Sequence, residues 1–268
     1  MSTGIAILGG GKIGEALLSG LLRGGRAPAD VLVTERYPER AAYLRETYGI
    51  DTVPAAEAAG RAATVIVATK PQDVAPALAE IAPVVTAGHL VISVAAGVTC
   101  ATLEDGLADG VPVVRAMPNT PALVGEGMTA VAAGTHATDE HLGAAEDLLA
   151  AVGRVVRVPE SQLDAVTALS GSGPAYLFYV VEALVDAGVL LGLPRALATE
   201  LVVQTAAGAA TMLRESGERP VALREAVTSP GGTTAAALRE LEARGVRAAL
   251  GAAAEAAAAR SRELGSKG

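Results

Sequence analysis

A glycine-rich stretch near the N-terminus restricts the fold of this chain more than any other part of the sequence. Ile5–Leu8 is a short apolar run with β-branched side chains, and residues 15–22 carry the apolar pattern of a helix. Between them lie Gly9, Gly11 and Gly14, which match the spacing G-x-G-x-x-G. A strand that leads through such a turn into a helix is typical of a dinucleotide-binding βαβ unit.

Each of these glycines has a mechanical reason in a turn of this kind. The first allows a sharp change of direction, the second lets backbone N–H groups approach a pyrophosphate, and the third lets the helix pack closely on the strand. The phosphates would lie at the helix N-terminus, where free N–H groups and the helix dipole favour an anion. A turn without a ligand is the alternative, because glycine-rich turns are common in a chain with 31 glycines.

An acidic residue after the second predicted strand supports the dinucleotide interpretation. Glu35 follows a strand expected at residues 30–34, about twenty residues past the last glycine, where such sites bind a ribose hydroxyl. The next residue, Arg36, could accommodate the additional phosphate of NADP or could be a solvated surface charge. This pair leaves the choice between NAD and NADP open.

Composition indicates a well-packed globular protein with an aliphatic core. Hydrophobic residues make up 51% of the chain, charged residues 19% and aromatic residues 2%. The net charge of −8 and the absence of a basic run argue against a nucleic-acid partner. One cysteine, Cys100, excludes an internal disulfide and fits a reducing compartment. A core strand at the N-terminus leaves no room for a signal peptide, so we expect a cytoplasmic protein.

The first half of the chain alternates predicted strands with helices. Near-continuous apolar strands with helices between them indicate an α/β fold with a Rossmann-type doubly wound sheet, mostly parallel at its start. We therefore predict a dinucleotide-binding Rossmann domain over residues 1–159. The further strands are expected at residues 64–69, 89–95, 111–116, 128–132 and 155–158, with a crossover helix at residues 71–82.

Three loops follow predicted strands of this sheet, at residues 69–72, 95–99 and 117–121. Their Pro and Gly residues are also ordinary turn residues, which is the alternative for each loop taken singly. Ligands of doubly wound sheets bind beyond the carboxyl ends of the strands. Together the three loops therefore indicate one binding edge.

Metal binding and cysteine chemistry are not expected. The histidines are His89, His136 and His141, and the last two are five residues apart, which is not the i,i+4 spacing that places two ligands on one helix face. Cys100 has no neighbouring base that would mark it as a nucleophile. We expect it to be a small packed residue.

The second half, residues 160–268, is predicted to be an all-α domain. Residues 201–213 are expected to be a helix with a face of small residues that allows another helix to approach. A further helix is expected at residues 235–244, and residues 238–259 are alanine-rich, helix-favouring and largely apolar. The most apolar stretch, residues 176–193, contains Glu182 and Asp186, so we expect a buried or subunit-interface helix rather than a membrane span. This amount of apolar helix predicts a homodimer or a larger assembly.

Two loops of the second half precede predicted helices. Residues 170–174 are expected only to cap the helix that follows them. In residues 229–234, two glycines expose backbone N–H groups at a helix start, and Thr233 and Thr234 add hydroxyls. This loop predicts a small anion site that suits a carboxylate.

The helical half lacks the usual acids and bases of an alcohol dehydrogenase. From residue 160 onward there is no histidine, and the one lysine is Lys267. An alcohol dehydrogenase usually needs a general acid/base beside the carbon that takes the hydride. Reduction of a C=N bond needs less, because an imine nitrogen is basic enough to take its proton before or during hydride transfer. The pattern favours an imine reductase, with a base from the first half as the alternative.

The motifs taken together closely resemble those of the pyrroline-5-carboxylate reductase family, over essentially the whole chain and in the same order. The resemblance implies reduction of 1-pyrroline-5-carboxylate to L-proline with NADP(H) or NAD(H), the final step of proline biosynthesis. It also implies a Rossmann domain and a helical domain that interlocks with that of a second chain. The motifs are residues 9–14, 69–72, 95–97, 117–121, 169–176 and 229–234, of which the last is the most specific.

The expected site residues follow from the glycine turn and from this resemblance. For the cofactor they are Leu8, Gly9, Gly10, Gly11, Lys12, Ile13, Gly14, Glu35, Arg36, Ala68, Thr69, Lys70, Pro71, Val94, Ala95 and Ala96. For the substrate, the resemblance implies a carboxylate site at Ser229, Gly231, Gly232, Thr233 and Thr234, and a substrate-side acid at Glu160. It also places Thr234 to hydrogen-bond the ring nitrogen, which makes Thr234 the expected catalytic residue.

Two departures from the family concern the cofactor. The chain has Ala55 and Ala56 where the family often has an asparagine on the adenosine side, and Glu35 where many members have a neutral residue. We therefore expect both NADPH and NADH to work, in an open ratio. Two other functions are alternatives. A β-hydroxyacid dehydrogenase would need a lysine in the second half, and a cofactor-binding regulatory protein would not need the loop at residues 229–234.

Overall fold

A computed structural model describes residues 4–265 of the chain, and Lys267 lies outside them. The chain packs into two compact units. The first contains the residues up to Ser172 together with those from Ala256 onward, and the second is Gly173–Glu255. These units divide the chain at other points than the domain boundary expected between residues 159 and 160, and that boundary stays a prediction.

The first unit is built on an eight-stranded sheet with the order β3-β2-β1-β4-β5-β6-β7-β8. Every neighbouring pair is parallel except β6 and β7. The first strand, β1, lies inside the sheet. From it the strands β2 and β3 follow in one direction and β4 to β8 in the other, so the strand order reverses between β1 and β4. The strands are β1 (Ile5–Leu8), β2 (Val31–Thr34), β3 (Asp51–Thr52), β4 (Thr64–Val67), β5 (Leu90–Ser93), β6 (Val113–Met117), β7 (Gly127–Ala133) and β8 (Gly153–Arg157).

The central strands are covered on both faces, which explains why their sequences are continuously apolar. In β1, Ile5 and Ile7 point into one aliphatic cluster, and Ala6 and Leu8 into a second cluster on the other face. All four side chains are at most 2% exposed. Each large aliphatic side chain buried in this way contributes about 1.5–3 kcal/mol to folding. The predicted doubly wound α/β fold is confirmed.

Helices surround this sheet, and several elements are shorter than expected. The strand expected to reach Thr69 ends at Val67, and the crossover helix begins with a 3-10 turn. The two-residue strand β3 was not predicted, since Asp51 and Thr52 carry no apolar run. The helices are α1 (Lys12–Arg23), α2 (Pro38–Tyr48), α3 (Ala55–Arg61), α4 (Val74–Ile81), α5 (Cys100–Asp105), α6 (Asp139–Leu149) and α7 (Leu163–Val166), with 3-10 turns at Pro28–Asp30, Pro71–Asp73, Thr120–Val124, Ala150–Val152 and Glu160–Gln162 and a π-turn at Thr167–Gly171.

The second unit is helical, as expected. The helix expected at residues 235–244 is present as Thr233–Ala243, and the helix-favouring stretch 238–259 is divided at Gly245, which adopts a left-handed conformation, with φ +67°, between two helices. The alanine-rich composition conceals this break. The helices are α8 (Gly173–Leu190), α9 (Arg195–Glu215), α10 (Pro220–Ala226), α11 (Thr233–Ala243) and α12 (Val246–Gly265), the last part of α12 belonging to the first unit.

Helices α8 and α9 pack against each other but expose much of their apolar surface. Phe178 is 67% exposed and Leu190 is 88% exposed, while Val185 is the buried residue of α8. The expectation of a helix buried within the chain is therefore wrong here, and its alternative, a subunit interface, stays open. The stretches Glu160–Leu190 and Arg195–Glu215 are also long and apolar enough to cross a membrane by length and composition, a test that an interface helix passes as well.

Candidate functional site

The glycine turn after β1 lies at the reversal point of the sheet, where doubly wound folds bind ligands. Gly9 has φ +109°, and a Cβ atom there would lie 2.8 Å from the Ala68 carbonyl oxygen. A Cβ atom on Gly14 would lie 1.9 Å from the Gly9 carbonyl oxygen. The turning role of Gly9 and the packing role of Gly14 are thus confirmed.

Gly11 differs from the other two glycines of the motif. A Cβ atom on Gly11 would meet no atom of residues 4–265 within 4 Å, and its φ of −68° is open to any residue. The packing of this described range therefore does not require a glycine at this position. Space kept free above a helix N-terminus is what close approach of a pyrophosphate needs.

A cleft opens beside this turn, at the carboxyl ends of β1, β2 and β4. Its lining includes eight of the residues expected to bind the cofactor, which are Leu8, Gly9, Gly11, Glu35, Arg36, Ala68, Thr69 and Lys70. It also includes Ala55, which the resemblance places on the adenosine side, and Thr34, Tyr37, Asp73, Pro76, Ala77 and Glu80, which sequence reasoning did not assign. Residues 73, 76, 77 and 80 have the spacing of one helix face, and this pattern could have identified these four residues from the sequence. The expected residues Gly10, Lys12, Ile13, Gly14, Pro71, Val94, Ala95 and Ala96 do not line it.

The cleft fits a dinucleotide in one further respect. The Thr69 hydroxyl is buried and has no hydrogen-bond partner among the described residues. A buried hydroxyl without a partner is costly, by about 1–3 kcal/mol. A polar ligand in the cleft would satisfy it.

Glu35 is held in place by the backbone. Its Oε2 accepts a hydrogen bond from Gly10 N–H at 3.0 Å, and its Oε1 accepts one from Tyr37 N–H at 2.9 Å. The neighbouring Arg36 forms an ion pair with Asp73 at 3.5 Å and donates to the Tyr37 hydroxyl at 3.1 Å. The carboxylate therefore has a fixed position at the mouth of the cleft, and the guanidinium is already partnered.

A second contact to Gly10 comes from helix α2. Arg40 donates to the Gly10 carbonyl oxygen at 2.8 Å and pairs with Glu15 at 2.5 Å. The Tyr48 hydroxyl donates to the other oxygen of Glu15 at 2.9 Å. These contacts brace the glycine turn against α1 and α2, and sequence reasoning gave no sign of them because the partners are 25 to 33 residues apart.

The segment after β5, which includes Val94, Ala95 and Ala96, lies at the same edge of the sheet. Val94 N–H donates to the Val67 carbonyl oxygen at 3.0 Å, and Ala95 N–H donates to Ser93 Oγ at 3.3 Å. Gly97 follows with φ +78°. The segment is therefore anchored beside β4, although it does not line the cleft.

Glu160 connects distant parts of the first unit. Its Oε1 accepts hydrogen bonds from Cys100 N–H at 2.7 Å and from Arg115 Nη1 at 3.0 Å. Burial opposes the charged form of Glu160, but these hydrogen bonds outweigh burial and hold its pKa below the usual value. Cys100 is buried, as expected, and burial together with the nearby Glu160 charge raises the pKa of its thiol to about 12. Such a thiol is not a nucleophile at neutral pH.

Asn119, in the third predicted loop, has a structural role, because both ends of its side-chain amide form hydrogen bonds within the chain. Its Oδ1 accepts from Met128 N–H at 2.8 Å, and its Nδ2 donates to the Ser170 carbonyl oxygen at 3.1 Å. Ser170 Oγ donates to the Val166 carbonyl oxygen at 3.1 Å. The expectation that the Ser170 hydroxyl caps the following helix is therefore wrong, since the residues Thr167–Gly171 continue the preceding helix as a π-turn.

The loop at residues 229–234, in the second unit, has the local geometry of an anion site. Gly231 has φ +70°, Gly232 is the N-cap of α11, and Gly232 N–H donates to the Ser229 carbonyl oxygen at 3.0 Å. The hydroxyls of Thr233 and Thr234 make no hydrogen bond with any other residue of the described range 4–265. The expectation that both glycines expose their N–H groups is therefore wrong for Gly232, whose amide is already hydrogen-bonded. The remaining amides and hydroxyls at this helix start can bind a carboxylate.

No group of three or more His, Cys, Asp or Glu side chains within residues 4–265 could hold a metal ion.

Comparison with known proteins identifies relatives along the full chain. A family profile described as pyrroline-5-carboxylate reductase dimerisation matches residues 160–264, and one described as NADP oxidoreductase coenzyme F420-dependent matches residues 4–97. The pyrroline-5-carboxylate reductase of Mycobacterium tuberculosis is 53% identical over 283 residues, which cover 97% of this chain and 96% of that protein.

Solved structures agree with these relatives. A pyrroline-5-carboxylate reductase from Coxiella burnetii matches with a TM-score of 0.92 and 37% identity, covering 98% of this chain and 99% of that one. The Plasmodium falciparum pyrroline carboxylate reductase with NADP bound matches with a TM-score of 0.88 and 29% identity, covering 98% of each chain. This chain belongs to the pyrroline-5-carboxylate reductase family.

Proposed function

We infer that this protein reduces 1-pyrroline-5-carboxylate to L-proline with NAD(P)H, the final step of proline biosynthesis. The observation that carries this inference is the 53% identity to a pyrroline-5-carboxylate reductase over 97% of the chain. That span includes both the dinucleotide cleft beside Gly9 and the loop at residues 229–234. The protein is thus an NAD(P)H-dependent oxidoreductase that acts on a C=N bond.

For the cofactor, we propose binding along the carboxyl edge of the sheet. The N–H groups that follow Gly11 bind the pyrophosphate, Thr69 Oγ1 takes a ligand hydrogen bond, and Glu35 accepts from the adenosine ribose. The segments Ala68–Pro71 and Val94–Ala96 contact the cofactor further along this edge. When bound, NAD(P)H supplies the hydride that adds to the imine carbon.

For the substrate, we propose that the loop at residues 229–234 binds the carboxylate. The amide of Gly231 and the hydroxyls of Ser229 and Thr233 are the donors, Gly232 forms the turn into the helix, and Thr234 donates a hydrogen bond to the ring nitrogen. The free hydroxyls of the loop and the left-handed turn at Gly231 support this role. As the hydride adds to the imine carbon, the π electrons of the C=N bond move to the ring nitrogen, which takes one proton through Thr234 or from water. Because this nitrogen is itself basic, no lysine or histidine is required from residue 160 onward.

Glu160 is the proposed substrate-side acid. Its Oε1 already accepts from Cys100 and Arg115, so its Oε2 is the oxygen available to a ligand. The lowered pKa keeps Glu160 charged at neutral pH.

For assembly and location, we propose a homodimer at least, and a larger assembly of dimers, in the cytoplasm. The dimerisation profile covers the two exposed apolar helices α8 and α9, which supports an interface on them rather than a membrane span. The domain boundary between residues 159 and 160 coincides with the start of this profile. Sedimentation velocity on the purified protein tests the assembly, since a monomer at micromolar concentration would contradict it.

The reaction is tested by the loss of nicotinamide absorbance from NADPH and NADH, with and without 1-pyrroline-5-carboxylate. We expect substrate-dependent oxidation with L-proline as the product. Cofactor binding without turnover would instead favour the regulatory protein. Oxidation of hydroxy acids in the reverse assay would favour the hydroxyacid dehydrogenase.

A further inference from the structure

We propose that Asp73 and Glu35 make this protein bind NADH more tightly than NADPH, with Asp73 acting through Arg36. The proposal rests on the cofactor site described above. It concerns the end of the cleft that receives the adenosine ribose, where NADPH differs from NADH by one phosphate on the 2′-hydroxyl.

The fixed position of Glu35 is the first reason. A carboxylate on a mobile side chain can turn away from a phosphate, but the two oxygens of Glu35 accept from Gly10 N–H and Tyr37 N–H. In this position the carboxylate can accept from a ribose hydroxyl. A 2′-phosphate carries about −1.5 to −2 charges at pH 7 and would meet the same carboxylate at close range.

The partners of Arg36 are the second reason. An arginine directly after the acidic residue is the group that would neutralise a 2′-phosphate. Here Arg36 forms an ion pair with Asp73 at 3.5 Å, and its guanidinium lies 5.1 Å from the centre of the Tyr37 ring. To bind a phosphate it would have to leave Asp73 or share its charge with it. Asp73 thereby weakens the contact that would favour NADPH.

The charge of the whole cleft is the third reason. Its lining contains three carboxylates, on Glu35, Asp73 and Glu80, and two cations, on Arg36 and Lys70. An additional phosphate therefore enters a site with excess negative charge. The side chain of Ala55, which also lines the cleft, is a methyl group and has no hydrogen-bond donor for the phosphate.

The experiment measures binding of NADH and NADPH to the full-length protein by isothermal titration calorimetry, without the imine substrate. We expect the Kd for NADH to be lower by about 10-fold, equivalent to about 1.4 kcal/mol. Adenosine 5′-monophosphate and its 2′-phosphorylated form should show the same order, which assigns the effect to the ribose end. The difference should shrink in high salt, because the groups involved are partly exposed.

Variants separate the roles of the residues. Asp73→Asn should lower the Kd for NADPH by about 3- to 10-fold and leave that for NADH nearly unchanged. The double variant with Arg36→Ala and Asp73→Asn should lose most of this increase in NADPH affinity. Glu46→Gln, which removes an exposed carboxylate of α2 outside the cleft, is the matched control and should change neither Kd.

The outcomes distinguish this proposal from the proposed function. Equal or tighter binding of NADPH would overturn the proposal while leaving the reductase intact. An unchanged NADPH affinity in Asp73→Asn would overturn the role of Asp73. Failure to bind either cofactor would instead contradict the cofactor site itself and, with it, the proposed function.

Discussion

Arg115 and Glu160 form an ion pair of 3.0 Å between a buried strand and the 3-10 turn where the helical part of the chain begins. The Arg115 side chain is 8% exposed and that of Glu160 32% exposed. The same carboxylate oxygen accepts from the first N–H of α5. One side chain therefore joins β6, α5 and the start of the second half.

Replacement of Arg115 should destabilise the protein. Arg115→Met keeps most of the apolar stem but leaves the partly buried Glu160 carboxylate with one hydrogen bond fewer, which should lower the free energy of unfolding by about 1–3 kcal/mol. Chemical denaturation measures this change. Arg154→Met, at an exposed position of β8, is the control. Equal stability of the two variants would show that the ion pair contributes nothing.

The same carboxylate should contribute to acid sensitivity. The pKa of Glu160 is lowered in the folded protein, so its contribution to stability is complete above the ordinary glutamate pKa of about 4.3 and is lost as pH falls through the folded value. Glu160→Gln removes this dependence. Unfolding free energies measured from pH 7 down to pH 3 should fall less steeply in the variant, and parallel curves would contradict the prediction.

Replacement by alanine should have different effects at two glycines of the same motif, on stability at Gly14 and on cofactor binding at Gly11. Gly14→Ala places a Cβ atom 1.9 Å from the Gly9 carbonyl oxygen, so α1 must move off β1, at a cost of several kcal/mol. Gly11→Ala meets no atom of the described residues within 4 Å and should fold normally while weakening cofactor binding by about 10-fold or more. Thermal unfolding measures the stability of both variants, and calorimetric titration measures their cofactor binding. The prediction is contradicted if Gly11→Ala binds NADH as tightly as the unaltered protein.

Thr234 should affect turnover more than cofactor binding. Thr234→Val keeps the shape of the side chain without its hydroxyl and should reduce kcat by about 100-fold, the typical effect of one lost donor. Thr234→Ser restores the hydroxyl and should retain most activity. Unchanged Kd values for the cofactor in both variants would exclude a general disturbance of the fold. Full activity in Thr234→Val would remove Thr234 from the mechanism.

Cys100 should be inert in the folded protein. The pKa of its thiol is raised from 9.0 to about 12, so the thiolate fraction at pH 8 is roughly 1,000-fold smaller than in the unfolded chain. A disulfide reagent should therefore react slowly with the native protein and rapidly after denaturation. Rapid native labelling at one thiol per chain would show that the site opens.

Sequence reasoning succeeded where structure depends on neighbours along the chain. The strand, the glycine turn and the first helix follow from residues 5–23, because the turn geometry and the apolar periods are local properties of the backbone. The doubly wound sheet follows in the same way, since continuously apolar strands must be covered on both faces. The same reasoning did not assign Gly245, a left-handed residue that separates two helices within the alanine-rich stretch 238–259.

The chain's own sequence thus determined the α/β class, the position of the dinucleotide turn and, through whole-chain motifs, the family. Only the tertiary structure decided which side chains meet. It brought Glu35 to the amide of Gly10, paired Arg36 with Asp73, placed Arg115 against Glu160, and left the apolar faces of α8 and α9 exposed. These contacts join residues 25 to 45 positions apart or lie between elements. Local periodicity carries no information about such pairs, because they arise from the packing of elements after the chain has folded.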